Sequence, residues 1–384
     1  MSLPSNFCIA PFHRFETSTN GGCGPCSYTP GIWDLSKYKT VYEKWNSPEY
    51  EKFRQSFLNN EQNPLCNLCW REEKAGQTSL RQRLNTFRGT KNVKKVFEQW
   101  IGTKKYKIYP KVISLIPGNQ CNLACVICYG ELSSKWNSEI STFPKNDLFN
   151  NAIYKNWNMK DEEYADIVEH SEHIQKIELY GGEPFYNKKN KTQLIDPIIA
   201  KGTAKNMTIY FNTNCTQWDE AFIKKLELNF KKVEIRGSID GINKQFEYLR
   251  YGAKWDSTIE NVKKFSNLSN GDFEIICTIS PYNVLYLEEY DNFFKENNWS
   301  VRWNLITHPN EMLLFNIPEA VKNNLHLPAK FNFIQKYITD TPSDQNAWPK
   351  FVARTKFLDK QRKLSIKAVF PRFYELVKTH GFED

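Results

Sequence analysis

From Lys111 onward, short β-rich runs alternate with longer amphipathic segments, and this alternation constrains the fold more than any other feature. Six runs are predicted to be strands, at residues 111–116, 176–180, 207–211, 233–238, 273–278 and 301–305. Helices are predicted between them, at residues 161–173, 191–204, 217–229, 255–268 and 284–297. This order favours parallel βα units, which right-handed crossovers would curl into an open, partial barrel. Loops at the carboxyl ends of the strands would then form the functional face.

Three cysteines follow the first predicted strand. Cys121, Cys125 and Cys128 form a C-x3-C-x2-C pattern, called the cysteine loop (residues 121–128) below. Three thiolates on one short loop can hold three irons of a [4Fe–4S] cluster and leave the fourth iron open to a small molecule, whereas electron carriers close that position with a fourth cysteine. The alternative is a zinc site, which would need a fourth ligand from elsewhere in the chain.

The first 90 residues contain five more cysteines. They are Cys8, Cys23, Cys26, Cys66 and Cys69. Close-spaced cysteines without an export signal indicate metal ligation in a reducing compartment rather than disulfides. Such pairs can build either a zinc site or an iron–sulfur site. Cys215 and Cys277, in or beside predicted strands, are interpreted as small core residues.

Length, composition and charge exclude several classes of protein. The 384 residues, 40% of them hydrophobic, suffice for one large domain and a small one, so global disorder is excluded. The sequence predicts no transmembrane helix and no signal peptide, and hence a cytoplasmic protein. The net charge of +9 is concentrated at residues 88–111 and 350–378. Nucleic acid could bind such segments, but without a nucleic-acid-binding motif they are interpreted as solvated helix surfaces.

The cysteine loop resembles the cluster-binding signature of the radical S-adenosylmethionine (SAM) enzymes. The resemblance implies that Cys121, Cys125 and Cys128 hold a [4Fe–4S] cluster whose open iron binds SAM. It further implies reductive cleavage of SAM to a 5′-deoxyadenosyl radical, which abstracts hydrogen from a substrate, and an external electron donor such as flavodoxin or ferredoxin. Ile127 departs from the family pattern, in which an aromatic residue usually precedes the last cysteine; here Tyr129 follows it.

The same resemblance implies a SAM pocket. The Gly-Gly-Glu-Pro run that begins at Gly181 matches a family motif whose backbone and carboxylate contact the SAM amino group. Arg250 matches an arginine near the SAM carboxylate, and a surface ion pair with Glu247 is its alternative. The residues implied in SAM binding are Gly181, Gly182, Glu183, Asn212, Ser238, Asp240 and Arg250.

The N-terminal cysteines resemble a SPASM/twitch module, which binds an auxiliary iron–sulfur cluster. The spacing Cys8-x12-Gly21-x4-Cys26 fits its β-hairpin, and Cys66 and Cys69 would complete four thiolates. Zinc is the alternative metal, and Cys23 is a candidate substitute for Cys26. The module usually follows the barrel, whereas here it precedes it.

The resemblance to SPASM/twitch enzymes favours a peptide or protein side chain as the substrate. The alternatives are a nucleotide or sugar substrate, or a metal-stabilised binding module that no longer reacts. The chain is thus predicted to be an α/β protein in three parts. A twitch-like module occupies residues 1–90, a partial (βα)6 barrel residues 108–310, and a helical extension, assigned no chemistry, residues 311–384.

Overall fold

The computed structural model describes residues 2–29, 31, 33–74, 76, 78–102, 109–145, 148–149 and 155–383. The chain divides into two compact units. The first unit comprises Met1–Gly118, Trp157–Phe211 and Lys224–Val233. The second unit comprises Asn119–Asn156, Asn212–Ile223 and Glu234–Asp384.

Strands and helices alternate in the central part of the chain, between residues 112 and 305. The strands are β1 (Arg14–Thr17), β2 (Cys23–Gly24), β3 (Val112–Leu115), β4 (Lys176–Leu179), β5 (Thr208–Thr213), β6 (Lys232–Ser238), β7 (Gly271–Ile279) and β8 (Val301–Leu305). The α-helices are α1 (Ala10–His13), α2 (Val41–Trp45), α3 (Pro48–Leu58), α4 (Asn67–Lys74), α5 (Leu80–Arg88), α6 (Thr90–Gly102), α7 (Ser134–Ile140), α8 (Asp161–Glu169), α9 (Asp196–Ala200), α10 (Glu220–Asn229), α11 (Asn243–Leu249), α12 (Trp255–Ser266), α13 (Leu287–Glu296), α14 (Glu319–Lys322), α15 (Asn332–Asp340), α16 (Ala347–Arg362), α17 (Ile366–Val369) and α18 (Pro371–Val377). A π-helix, Asn190–Ile195, precedes α9.

The first unit is organised by a sheet with the strand order β2-β1-β3-β4-β5. β1 and β2 form an antiparallel hairpin, and the pairs β1–β3, β3–β4 and β4–β5 are parallel. All four residues of β3 are buried, as expected for a parallel strand that is covered on both faces. The sequence predicted the N-terminal hairpin as part of a separate module, whereas β1 extends this sheet, with Arg14 opposite Val112.

The second unit contains β6, β7 and β8 in that order, and β7 and β8 are parallel. α16 is its longest helix in the described chain and ends where Lys363 adopts a left-handed backbone, with φ +53°. Arg354 and Arg362 are eight residues apart on α16, close to two turns, so both side chains lie on one face.

The predicted α/β fold with a parallel sheet is confirmed. All six predicted strands are present, with bounds that differ by at most two residues, and each predicted helical segment contains helix. Closure of a partial barrel and the three-part division at residues 1–90, 108–310 and 311–384 remain predictions. In the described part of the chain, every helix is too short or too polar to cross a bilayer.

Candidate functional site

The backbone of the cysteine loop is fixed by the segment at residues 249–251 within the second unit. Ala124 N donates to Tyr251 O at 3.0 Å, and Val126 N donates to Leu249 O at 2.8 Å. Cys128 N donates back to Cys125 O at 3.0 Å. Paired backbone groups such as these hold a loop in one conformation.

The N-terminus of α7 supports the same loop from a second direction. Ser133 caps this helix, since its Oγ accepts from Trp136 N at 3.2 Å, and the same Oγ donates to Leu123 O at 2.6 Å. Trp136 Nε1 donates to Cys125 O at 2.6 Å. Two separate elements therefore fix the peptide groups on either side of the cysteines.

The thiols of the cysteine loop lie beside guanidinium groups. Burial raises the pKa of the Cys125 thiol, while Arg250, whose Nη1 is 3.9 Å from Cys125 Sγ, acts in the opposite direction. Burial, and then the neighbouring Cys125, raise the pKa of Cys128 to about 12, and Arg250 and Arg354 oppose this. Thiolates are the form that binds iron, and nearby cations stabilise them.

The donor set fits an iron–sulfur cluster in its chemistry. Three cysteines share one backbone-fixed loop, and positive side chains flank two of them. Among the described residues, no three potential ligands are already gathered at metal-binding distance. The fit therefore rests on the spacing of the cysteines, the fixed backbone and the local charge.

Arg250 and Asp240, both predicted to bind SAM, form a buried ion pair. Arg250 Nη2 lies 2.6 Å from Asp240 Oδ2, and Thr278 N donates to Asp240 Oδ1 at 2.7 Å. Burial raises the pKa of Asp240, and Arg250 is the main group that opposes the shift. The alternative of a surface pair with Glu247 is wrong, because Glu247 accepts from Lys244 Nζ at 2.8 Å instead.

The remaining predicted SAM residue positions lie at strand ends. In the second unit, Asn212 lies near the end of β5, and Ser238, buried, is the last residue of β6. In the first unit, Gly181 and Gly182 follow β4 with φ values of +68° and +53°. A Cβ on Gly181 would lie 2.2 Å from Ile116 Cγ2, so a side chain there would be overpacked against Ile116.

Glu183 follows the two glycines and is almost fully buried, at 1% exposure. Its Oε1 accepts from Phe185 N at 3.2 Å, and its backbone oxygen accepts from Tyr186 N and Asn187 N. The Glu183 carboxylate is thus held by the backbone of the turn that begins at Glu183.

Cys8 and Cys26 lie in one buried hydrophobic cluster of the first unit, and Cys66 packs against it. Burial raises the pKa of Cys8 well above the usual range, and Cys26, Cys66 and Cys69 are close enough for their charges to raise it further. Burial raises the pKa of Cys66 to about 12, again with contributions from Cys26 and Cys69. Cys26 Sγ also lies 3.2 Å from Thr29 Oγ1.

Cys23 has different neighbours. Burial raises its pKa to about 12; the charge of Lys44 opposes this shift, and those of Glu163 and Glu49 add to it. The sequence left the choice between Cys23 and Cys26 open. Cys8 and Cys26 belong to one buried hydrophobic cluster against which Cys66 packs, and this favours Cys26. The choice between Cys23 and Cys26 stays a prediction.

Sequence reasoning missed Arg354 and Arg362, which both contact the surroundings of the cysteine loop. Arg354 Nη2 donates to Cys128 O at 2.9 Å, and Arg362 forms two hydrogen bonds to the Glu139 carboxylate. For these two residues the predicted solvated surface at 350–378 is wrong, since both are buried. The sequence signal that could have indicated their burial is that both arginines share a helix face with Phe351, Thr355 and Leu358.

Comparison with protein families identifies the central region. Residues 115–291 match the model of the Radical SAM superfamily. The chain carries a radical SAM domain. The matched radical SAM segment begins at the end of β3 and ends within α13, so it includes the cysteine loop, Gly181–Glu183 and Arg250. A radical SAM domain implies SAM and a [4Fe–4S] cluster as cofactors. The N-terminal cysteines and α16 lie outside the match.

A curated relative of this chain is the uncharacterized protein MJ0907 of Methanocaldococcus jannaschii. It is 27% identical over 174 residues, which is 45% of this chain and 54% of the relative. The chain thus spans about half the length of the curated relative that it matches.

The similar solved structures include two that contain bound SAM. The anSMEcpe protein with bound AdoMet is 18% identical over 52% of this chain and 51% of its own, with a TM-score of 0.40. SuiB of Streptococcus suis bound to S-adenosylmethionine is 13% identical over 88% of this chain and 71% of its own, with a TM-score of 0.42.

Proposed function

We propose that this protein is a radical SAM enzyme in which Cys121, Cys125 and Cys128 hold the [4Fe–4S] cluster. The observation that carries the proposal is the C-x3-C-x2-C loop within the radical SAM match, with its backbone fixed and its thiols beside Arg250. When bound, the cluster and SAM together supply a 5′-deoxyadenosyl radical that abstracts hydrogen from the substrate. The protein's own residues bind, orient and shield these groups.

Arg250 is assigned to the SAM carboxylate. Its Nη2 is occupied by Asp240, whereas its Nε is buried without a hydrogen-bond partner among the described residues. A buried, unpaired donor is costly unless a ligand supplies the acceptor. A guanidinium also matches a carboxylate in geometry, and Asp240 keeps it in a fixed orientation.

The other SAM contacts are assigned from the family motif. Gly181 and Gly182 leave the backbone open to close approach, and the buried Glu183 carboxylate suits a ligand ammonium group. The proposed SAM-binding residues are Gly181, Gly182, Glu183, Asn212, Ser238, Asp240 and Arg250.

The first test compares two buried cysteines of the second unit. Cys125→Ala should abolish cluster binding and deoxyadenosine release from SAM under dithionite, because one iron ligand is lost. Cys277→Ala, a fully buried position on β7, is the matched control and should retain both. Normal deoxyadenosine production by Cys125→Ala would refute the ligand assignment.

We further propose an auxiliary iron–sulfur cluster at Cys8, Cys26, Cys66 and Cys69. The packing of Cys8, Cys26 and Cys66 at one hydrophobic cluster supports it, together with the resemblance of the cysteine spacing to SPASM/twitch modules. On this resemblance, the substrate is a peptide or protein side chain, and flavodoxin or ferredoxin is the electron donor.

Serine substitutions test the auxiliary ligands. Cys26→Ser should lower the metal content of the N-terminal site after anaerobic reconstitution, while Cys23→Ser should leave it unchanged. Iron, sulfide and zinc are measured in both variants, so that zinc in place of iron is detected. Loss of metal in Cys23→Ser but not in Cys26→Ser would reverse the assignment.

A further inference from the structure

The C-terminal helix α16 supplies hydrogen bonds to one side of the cysteine loop. Arg354 Nη2 donates to Val126 O at 3.1 Å and to Cys128 O at 2.9 Å. These two carbonyls border the peptide segment that carries Cys128. The sequence assigned no chemistry to α16, which lies beyond the radical SAM match at residues 115–291.

Arg354 is held in one position by its surroundings. Its side chain is 8% exposed, and its guanidinium lies 5.1 Å from the Trp136 ring centroid and 5.2 Å from that of Phe149. The charge is only weakly compensated, because the partner carboxylate of Glu311 is 3.5 Å away. A guanidinium stacked on aromatic faces loses little further freedom when it donates to a backbone carbonyl.

Arg362 fastens the same face of α16 to the helix that supports the loop. It donates to the Glu139 carboxylate of α7 at 2.9 and 2.6 Å. Its guanidinium also lies 4.7 Å from the Trp136 ring and 4.2 Å from the Tyr251 ring. Since Trp136 and Tyr251 both hydrogen-bond to the cysteine loop, α16 is tied to both elements that fix the loop.

We propose that Arg354 is a positioning residue for the cysteine loop, through which α16 sets the geometry and the electrostatic environment of the cluster. The inference rests on the proposed cluster ligands. Two separable effects follow. The two hydrogen bonds hold the backbone at Val126–Cys128, and the fixed positive charge stabilises the more negative, reduced cluster, which raises its reduction potential.

The backbone effect is tested on full-length, metal-free protein by hydrogen exchange at the amides of Val126 and Cys128. Arg354→Met should accelerate this exchange by about tenfold or more, because the two carbonyls lose their donor. Lys360→Met removes the same charge from an exposed position on α16 and should leave the exchange unchanged.

The charge effect is tested by a redox titration of the reconstituted protein, followed by electron paramagnetic resonance. Arg354→Met should shift the midpoint potential of the cluster to a more negative value, whereas Lys360→Met should not. Arg354→Lys keeps the charge but loses the planar group over Trp136. Its midpoint potential should therefore stay close to that of the wild type, while its loop amides should exchange as rapidly as those of Arg354→Met.

The outcomes separate this inference from the proposed function. If Arg354→Met and Arg354→Lys both match Lys360→Met in exchange and potential, the role of Arg354 is overturned while the enzyme assignment stands. If Cys125→Ala binds as much iron as the wild type, the cluster assignment fails. In that case the exchange rates of the metal-free protein still show whether Arg354 holds the cysteine loop. Should Arg354→Met not fold, Arg354→Lys decides by its exchange rate alone.

Discussion

At the scale of single residues, buried charge defines the surroundings of the cysteine loop. Arg250 pairs with the fully buried Asp240, and Arg362 pairs with Glu139, each at 2.6 Å. Removing one partner of such a pair leaves an uncompensated buried charge, which is far more costly than loss of a surface pair. These ion pairs therefore fix the positions of two guanidinium groups whose charges act on Cys125.

Gly181 provides a residue-scale prediction because it combines a positive φ with close packing. Gly181→Ala should destabilise the protein by about 3 kcal/mol, since it adds overpacking against Ile116 to the cost of a left-handed backbone. Gly202→Ala is the matched control, since φ there is +76° and nothing lies within 4 Å of an added Cβ. Its cost should be about 1 kcal/mol.

Urea denaturation of the wild type and both variants measures the difference. Equal destabilisation by Gly181→Ala and Gly202→Ala would show that the contact with Ile116 relaxes without cost.

At the scale of elements, side chains across three strands tie the N-terminal hairpin into the sheet of the first unit. Arg14 on β1 lies 2.5 Å from Glu178 on β4, and Ser114 on β3 donates to the same carboxylate at 2.6 Å. Burial raises the pKa of Glu178, but Arg14 and Lys176 outweigh it and hold the pKa below its usual value. The carboxylate therefore stays ionised and links β1, β3 and β4.

His13, the last residue of α1, predicts a pH dependence of stability. Burial, and then the charges of Arg88 and Lys111, lower the pKa of His13 to about 3. Below the unfolded pKa of about 6.5, the unfolded chain gains a proton that the folded chain does not, so the free energy of unfolding falls as pH falls. Between pH 7.5 and 5.5 this loss should be about 1.4 kcal/mol.

His13→Gln should remove that share of the pH dependence, and His326→Gln, at an exposed position, should not. Chemical denaturation at a series of pH values measures both variants. An unchanged slope in His13→Gln would contradict the proposed burial of a neutral imidazole.

The sequence predicted the strands well because buried apolar runs such as Val112–Leu115 carry the signal themselves. The cysteine loop could be proposed as a cluster site from the sequence because its three cysteines have a distinctive spacing. The sequence could not predict that β1 pairs with β3, since their partners are about 100 residues apart and only assembly of the sheet joins them. The burial of Arg354 could not be predicted, because a basic residue on a helix is usually exposed and its aromatic neighbours become apparent only in the folded structure.

At the scale of the whole molecule, each unit contains its own set of cysteines. Cys8, Cys23, Cys26, Cys66 and Cys69 lie in the first unit, and Cys121, Cys125, Cys128, Cys215 and Cys277 lie in the second. In each set, some thiols are grouped as candidate ligands and others are plain core residues. The two proposed clusters should therefore be removable independently, by substitutions in one unit at a time.

The most direct test of the central claim is a metal and product inventory of the anaerobically purified, reconstituted protein. Iron, sulfide and zinc would be measured together with deoxyadenosine release from SAM under dithionite. About eight irons with SAM cleavage is the predicted result, as expected for two [4Fe–4S] clusters. About four irons with one zinc would retain the radical SAM centre and convert the N-terminal site to a structural one. A filled cluster without any SAM cleavage would contradict the proposed enzyme.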